Sequence, residues 1–171
     1  LGLKRILAAL KEIGDPCSSL PAIQIAGTNG KGSISSFISS ILSQAGFQIG
    51  LFTSPHLVSW RERISVNCEN ISTFELRERL SSLQQIASKH NLTPFELLLA
   101  AAFQYFELKG VEIMVLEVGL GGRLDATTAH CYRPVIAMGS IGLDHCEYLG
   151  NSVRDIAIEK AAVITPGSSV I

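Results

Sequence analysis

The 171-residue sequence lacks any excess of charge: 14 Lys and Arg stand against 15 Asp and Glu, for a formal net charge of −1. That balance leaves no electrostatic footprint for nucleic acid or an anionic membrane, and neither is expected as a partner. Long apolar runs are missing too. No stretch reaches the roughly 20 residues that a bilayer-spanning helix needs, and no basic segment precedes a signal-like core. The four cysteines (Cys17, Cys68, Cys131 and Cys146) are scattered and form no paired metal motif. They read as reduced, incidental thiols of a cytoplasmic protein rather than as a disulfide or zinc site. No repeat, low-complexity tract or linker interrupts the chain, which excludes a repeat array and points to a single domain.

Hydrophobic residues make up 47% of the chain and charged residues 17%, the balance of a folded protein with a sizeable core. Runs rich in β-branched residues alternate with segments of helical period, which predicts a parallel α/β sheet flanked by helices. Residues 2–13 read as an amphipathic helix closed by Gly14-Asp15-Pro16, and "AIQIAG" (22–27) as the first buried strand. Lys31 to Ala45 follows as a helix ended by Gly46, then "QIGLFTS" as the second strand and "ERISVN" as a short edge strand. Ser72 with Glu75, and Thr93 with Glu96, have capping-box spacing, and Pro94 takes the first helical position. "EIMVLEVG" (112–119) and "PVIAMGSIG" (134–142) are further buried strands, and a helix runs from Ser152 to about Val163. The chain starts at Leu1 rather than Met and stops at Ile171 inside an apparent strand, "SSVI", so a piece of a longer protein is expected.

In such sheets ligands gather beyond the carboxyl ends of the strands. The polar clusters fall there: "GTNGKGS", "TSPH", "EVGLGGRLDAT" and "GLDH" follow the four buried strands in turn. A glycine-rich turn between strand and helix can aim several N–H groups at phosphate oxygens, with the helix dipole adding favourable potential. Lys31 would reach the outer phosphates and a hydroxyl one turn in could hold Mg²⁺; the alternative is a tight turn with Lys31 in solvent. Glu117, among apolar residues, is either a Mg²⁺ ligand or a structural carboxylate bonded to amides or to Arg123. Arg123 and Asp125 either orient an anionic or amine-bearing substrate or form a salt-bridged turn. A lone His145 is by default a structural residue, because Mg²⁺ prefers oxygen donors. Lys160 either snorkels to solvent or is desolvated and chemically modified. Thr53, Ser54 and His56 either cover a ligand or make a turn set by Pro55, while His90 and His130 carry no signal.

With these clusters in this order, the sequence resembles the folylpolyglutamate synthase/dihydrofolate synthase family of Mur-ligase-like, ATP-dependent amide ligases. "GTNGKGS", "FTSPHL" with "ERISVN", "LEVGLGGRLDAT" and "IGLDHCEYLG…EKAAVI" carry the resemblance nearly end to end. It implies a P-loop-type sheet forming the N-terminal part of the ATPase domain over residues 1–171. The remainder of that domain and a C-terminal glutamate-binding domain would lie outside the chain, which should not complete catalysis alone. The implied reaction activates a folate or dihydropteroate carboxylate as an acyl phosphate, which L-glutamate then attacks; ATP and Mg²⁺ are the implied cofactors. By resemblance Thr28, Asn29, Gly30, Lys31, Gly32 and Ser33 form the phosphate loop, with Ser33 on a first Mg²⁺. Glu117 and His145 match ligands of a second Mg²⁺, and Lys160 matches a lysine that is carbamylated. Asp125 matches an aspartate near the reacting carboxylate; Ser54, His56, Thr93 and Phe95 match the substrate side. A monomer is expected. A different Mur-type amino-acid ligase and a non-catalytic nucleotide-binding module are the rival readings.

Overall fold

The alternation of apolar runs and helical periods becomes a layered α/β arrangement in the computed structural model, which describes residues 2–171. In chain order the elements are α1 (Lys4–Glu12), β1 (Ala22–Ala26), α2 (Lys31–Gln44), β2 (Ile49–Phe52), β3 (Ile64–Val66), β4 (Glu69–Asn70) and α3 (Thr73–Ser82). There follow α4 (Gln84–His90), α5 (Pro94–Leu108), β5 (Ile113–Glu117), β6 (Val135–Met138), α6 (Cys146–Leu149), α7 (Val153–Ala161) and β7 (Ser169–Val170). Both capping boxes form as the spacing predicts: Ser72 with Glu75 opens α3, and Thr93 with Glu96 opens α5.

Among the described residues the strands make one sheet in the order β4-β3-β2-β5-β1-β6-β7. The five strands from β2 to β7 pair in parallel, as expected, but β3 and β4 pair antiparallel. The "ERISVN" strand is therefore not the edge: a two-residue turn at Asn67-Cys68, both with positive φ, folds β4 back beyond it. Helices α4 and α6 and strand β4 are too short to announce themselves by period.

Alternate strand residues face opposite layers. Met114 and Leu116 of β5 join Ile6, Leu10, Leu99, Phe103 and Phe106 under α1 and α5. Val115 turns the other way, joining Ile25, Ile49 and Leu51 against Ile34, Ile38 and Leu42 of α2. The α5 contact is so close that a Cβ on Gly50 would sit 2.8 Å from the Phe106 ring. Among the described residues no helix is long and apolar enough to cross a membrane.

The loop before β6 is tied down by buried polar groups. Arg133 donates to the carbonyls of Thr128, His130 and Val163, joining this loop to the end of α7. The Nε2 of His130 lies 2.8 Å from the Leu20 carbonyl and 3.1 Å from that of Tyr132. Burial, and then the neighbouring Arg133, hold the His130 pKa below its ordinary 6.5. A depressed folded-state pKa means that the unfolded chain binds the proton first, so this contribution is present above 6.5 and lost as pH falls below it. The melting temperature should therefore drop between about pH 7 and about pH 5, and His130→Gln should flatten that slope in thermal scans. An unchanged slope would show that His130 carries no such linkage.

Candidate functional site

The glycine-rich loop leaves β1 with its backbone pressed against the segment that follows β6. Gly27 has φ 139°, and a Cβ there would lie 2.9 Å from the Gly139 Cα; a Cβ on Gly139 would lie 2.9 Å from the Asn29 carbonyl oxygen. Two facing glycines are what allow the approach. Thr28 fastens it: its N–H donates to the Ser140 carbonyl at 2.7 Å, and its hydroxyl exchanges 3.1 Å hydrogen bonds with Gly142. Thr28 therefore shapes the loop, with both of its donors engaged by the segment after β6. The first bond into α2 runs from the Ile34 N–H to the Gly30 carbonyl. Among the described residues the N–H groups of Gly30, Lys31, Gly32 and Ser33 thus have no backbone acceptor. They form an anion nest at the positive end of α2.

Two ammonium groups converge on this loop. Lys31 Nζ donates to the carbonyls of Gly27 and Thr28, both at 3.1 Å, and Lys160 Nζ donates to that same Gly27 carbonyl at 2.7 Å. Lys160 is only 2% exposed, so it does not snorkel to solvent as most such lysines do. Burial, reinforced by the Lys31 charge, pushes its pKa below 10.5. Among the described residues neither lysine has an ion-pair partner, so an anion entering the nest would meet uncompensated positive charge.

Glu117 ends β5 beside this loop, 2% exposed. One carboxylate oxygen accepts from the Thr53 hydroxyl and, at 3.0 Å, from the Ser54 N–H. Arg123 is not its partner, nor that of Asp125; it pairs with Glu159 at 3.1 Å. Both Glu117 oxygens lie beside the start of α2, 3.7 and 3.8 Å from where a Cβ on Gly32 would be. Among the described residues no group of three His, Cys, Asp or Glu could hold a metal by itself. The donor types suit Mg²⁺ all the same: a Ser33 hydroxyl and a Glu117 carboxylate are oxygen donors of the kind it takes, with phosphate and water supplying the rest. His145, in the left-handed region at φ 47°, sits before α6 with its Nε2 3.7 Å from Asp144.

A cavity of about 470 Å³ opens beside the loop, and Lys31, Ser54, Thr93, Phe95, Asp125 and His145 all line it. Phe95 packs edge-on against Phe52, with ring centroids 5.3 Å apart. The Thr93 hydroxyl and N–H both bond Glu96, so its capping role is real. Asp125 is buried and accepts from the N–H groups of Gly119, Leu120 and Thr127 and from the Thr127 hydroxyl. Burial nevertheless pushes its pKa up. His56 is not brought to the cavity; it accepts from Arg63 Nε at 2.9 Å and lies against Trp60. Lys160 stays beneath the loop. Two lining residues were not singled out from the sequence: Arg63, which falls within "ERISVN", and Arg5, which pairs with Glu96 at 3.3 Å. A guanidinium on a short helix or strand reads as a solvated face.

This arrangement has known counterparts. The Mur ligase middle domain model matches residues 25–168. Dihydrofolate synthetase of Saccharomyces cerevisiae is 43% identical over 98% of this chain and 40% of its own length. A structure of E. coli FolC with ADP superposes with TM-score 0.94 at 33% identity, covering all of this chain and 41% of that one. The bifunctional folylpolyglutamate synthase/dihydrofolate synthase of Yersinia pestis, complexed with AMPPNP and Mn, gives TM-score 0.92 at 34% identity over 99% of this chain and 41% of its own. The chain thus spans about two-fifths of the length of the relatives it matches. If backbone contact shapes the nest, Gly139→Ala should weaken pyrophosphate binding about tenfold in calorimetric titrations. Gly142→Ala, with no atom within 4 Å of the added Cβ, should leave it unchanged.

Proposed function

The chain belongs to the Mur ligase middle-domain family, and from that premise we propose that the protein of full family length built on it is an ATP-dependent ligase joining L-glutamate to the carboxylate of dihydropteroate or a folate. The observation that carries this reading is the junction of an unpaired anion nest, a buried carboxylate and a partly apolar cavity at one sheet edge. Nucleotide and divalent metal occupy two of the structural relatives, ADP in one and AMPPNP with Mn in the other.

A carboxylate resists an amine nucleophile because attack must overcome its charge and resonance. Transfer of the ATP γ-phosphoryl group to a carboxylate oxygen gives an acyl phosphate with a good leaving group. The glutamate amine attacks the acyl carbon, the tetrahedral intermediate expels phosphate, and ADP, phosphate and an amide result. The protein's part is positioning and charge neutralisation. Asn29 and the amides of Gly30, Lys31, Gly32 and Ser33 hold the phosphates. Lys31 leaves the Gly27 and Thr28 carbonyls to reach the outer phosphate; Ser33 would hold a first Mg²⁺, and Glu117 with His145 a second. When bound, Mg²⁺ withdraws charge from the transferring group.

Lys160 is suited to carbamylation. Its lowered pKa raises the share of uncharged amine, which adds to CO₂ and loses a proton, so that a buried cation becomes a carbamate anion. Asp125, its acceptor oxygens committed to the 119–127 turn, supports the wall near the reacting carboxylate. Phe95 and Thr93 face the pterin, with Ser54 on the loop that covers it. The glutamate site and nucleoside contacts belong to regions outside this chain, and a cytoplasmic monomer completes the proposal.

The deciding experiment supplies the full-length protein with dihydropteroate or tetrahydrofolate, ATP and glutamate. Phosphate release should require both acceptor and glutamate; ATP binding without turnover would replace the ligase with a passive nucleotide-binding module. Lys31→Ala should cut turnover at least about 100-fold with little change in melting temperature, since the side chain caps a loop rather than filling the core. Lys160→Ala should regain part of its activity with formate or acetate, and failure at every concentration would remove carbamylation from the scheme.

A further inference from the structure

A second groove, of about 380 Å³ and sharing no lining residue with the site cavity, lies between the Trp60–Arg63 turn, α3 and the start of α5. Its floor is aliphatic (Leu76, Leu97 and Leu98), and Trp60, 48% exposed, forms one wall. Arg61 and Arg77 stand at its rim. The neighbouring carboxylates are already engaged: Glu62 accepts the N–H groups of Leu57, Val58 and Ser59, and Glu78 pairs with Arg79 at 3.1 Å. Among the described residues neither rim guanidinium has an ion-pair partner. Arg61 uses only its Nε, on the Ile71 carbonyl at 2.6 Å, which aims the side chain and leaves its terminal amines free.

We infer that this groove is a binding site for a small aromatic carboxylate, its ring on Trp60 and the leucine floor and its anion between Arg61 and Arg77. The volume is within the range of small-ligand pockets, and an indole beside aliphatic side chains suits a flat ring. Two free guanidinium forks with no lining acid select an anion, and a planar carboxylate can take either fork bidentately. The Trp60 ring also lies 4.5 Å from that of His56 and 4.7 Å from the Arg63 guanidinium, which lines the site cavity. A ligand held on Trp60 therefore touches the segment that carries Ser54 and Arg63 to that cavity. This inference is independent of the ligase reading, because binding is measured without ATP, glutamate or folate.

Trp60 is the sole tryptophan of the sequence, so its emission reports on the groove directly. Titration with benzoate should change that emission saturably, with Trp60→Phe giving the background; acetate and benzyl alcohol should have no comparable effect. Arg77→Glu, at an exposed position, should raise the dissociation constant about tenfold or more without moving the melting temperature. A non-saturable signal, equal affinity in Arg77→Glu, or displacement of benzoate by pyrophosphate would overturn the assignment; the last would put the ligand at the phosphate loop instead.

Discussion

The close contact of Gly27 with Gly139 is the constraint on which the rest of the site depends. It brings the loop after β1 onto the loop after β6, with the Thr28 hydroxyl and N–H locking the two together. Since β1 lies between β5 and β6, this joins the two halves of the sheet at the crevice where ligands of such folds bind. Side chains larger than hydrogen would separate the loops and disperse the unpaired amides at the start of α2.

Electrostatics then make the crevice selective. Two lysines share one carbonyl, and Glu117 stands on the adjacent strand with one oxygen anchored by the Ser54 N–H and the carboxylate beside Gly32. Positive charge without a counter-ion, beside a lone buried carboxylate, suits a polyanion carrying a divalent cation better than either alone. The cavity next to it mixes an aromatic wall (Phe95) with Arg5 and Arg63.

Much of this was legible from residue order. The strand runs, the helix after the glycine-rich turn and both capping boxes follow from local periodicity and hydrogen-bond chemistry, which act within a few residues. The meeting of the strand-end clusters was legible too, because polar groups at the carboxyl ends of parallel strands share one edge of the sheet. Illegible were the antiparallel turn-back of β3 and β4, the commitment of Thr28 to Gly142, and the orientation of His56 away from the cavity toward Trp60 and Arg63. Each depends on a partner far away in the chain or on a short element with no period to detect.

The sequence alone determined which residues could do chemistry and on which end of the sheet they would gather, because alternation and capping are local properties. Only the tertiary structure decided which of them are free to act. Lys160 is buried against Gly27 rather than in solvent, Asp125 is saturated with donors, and Arg5 and Arg63 reach the cavity from elements that looked like surface. Burial and hydrogen-bond saturation are set by packing between distant segments, and no window of sequence contains them.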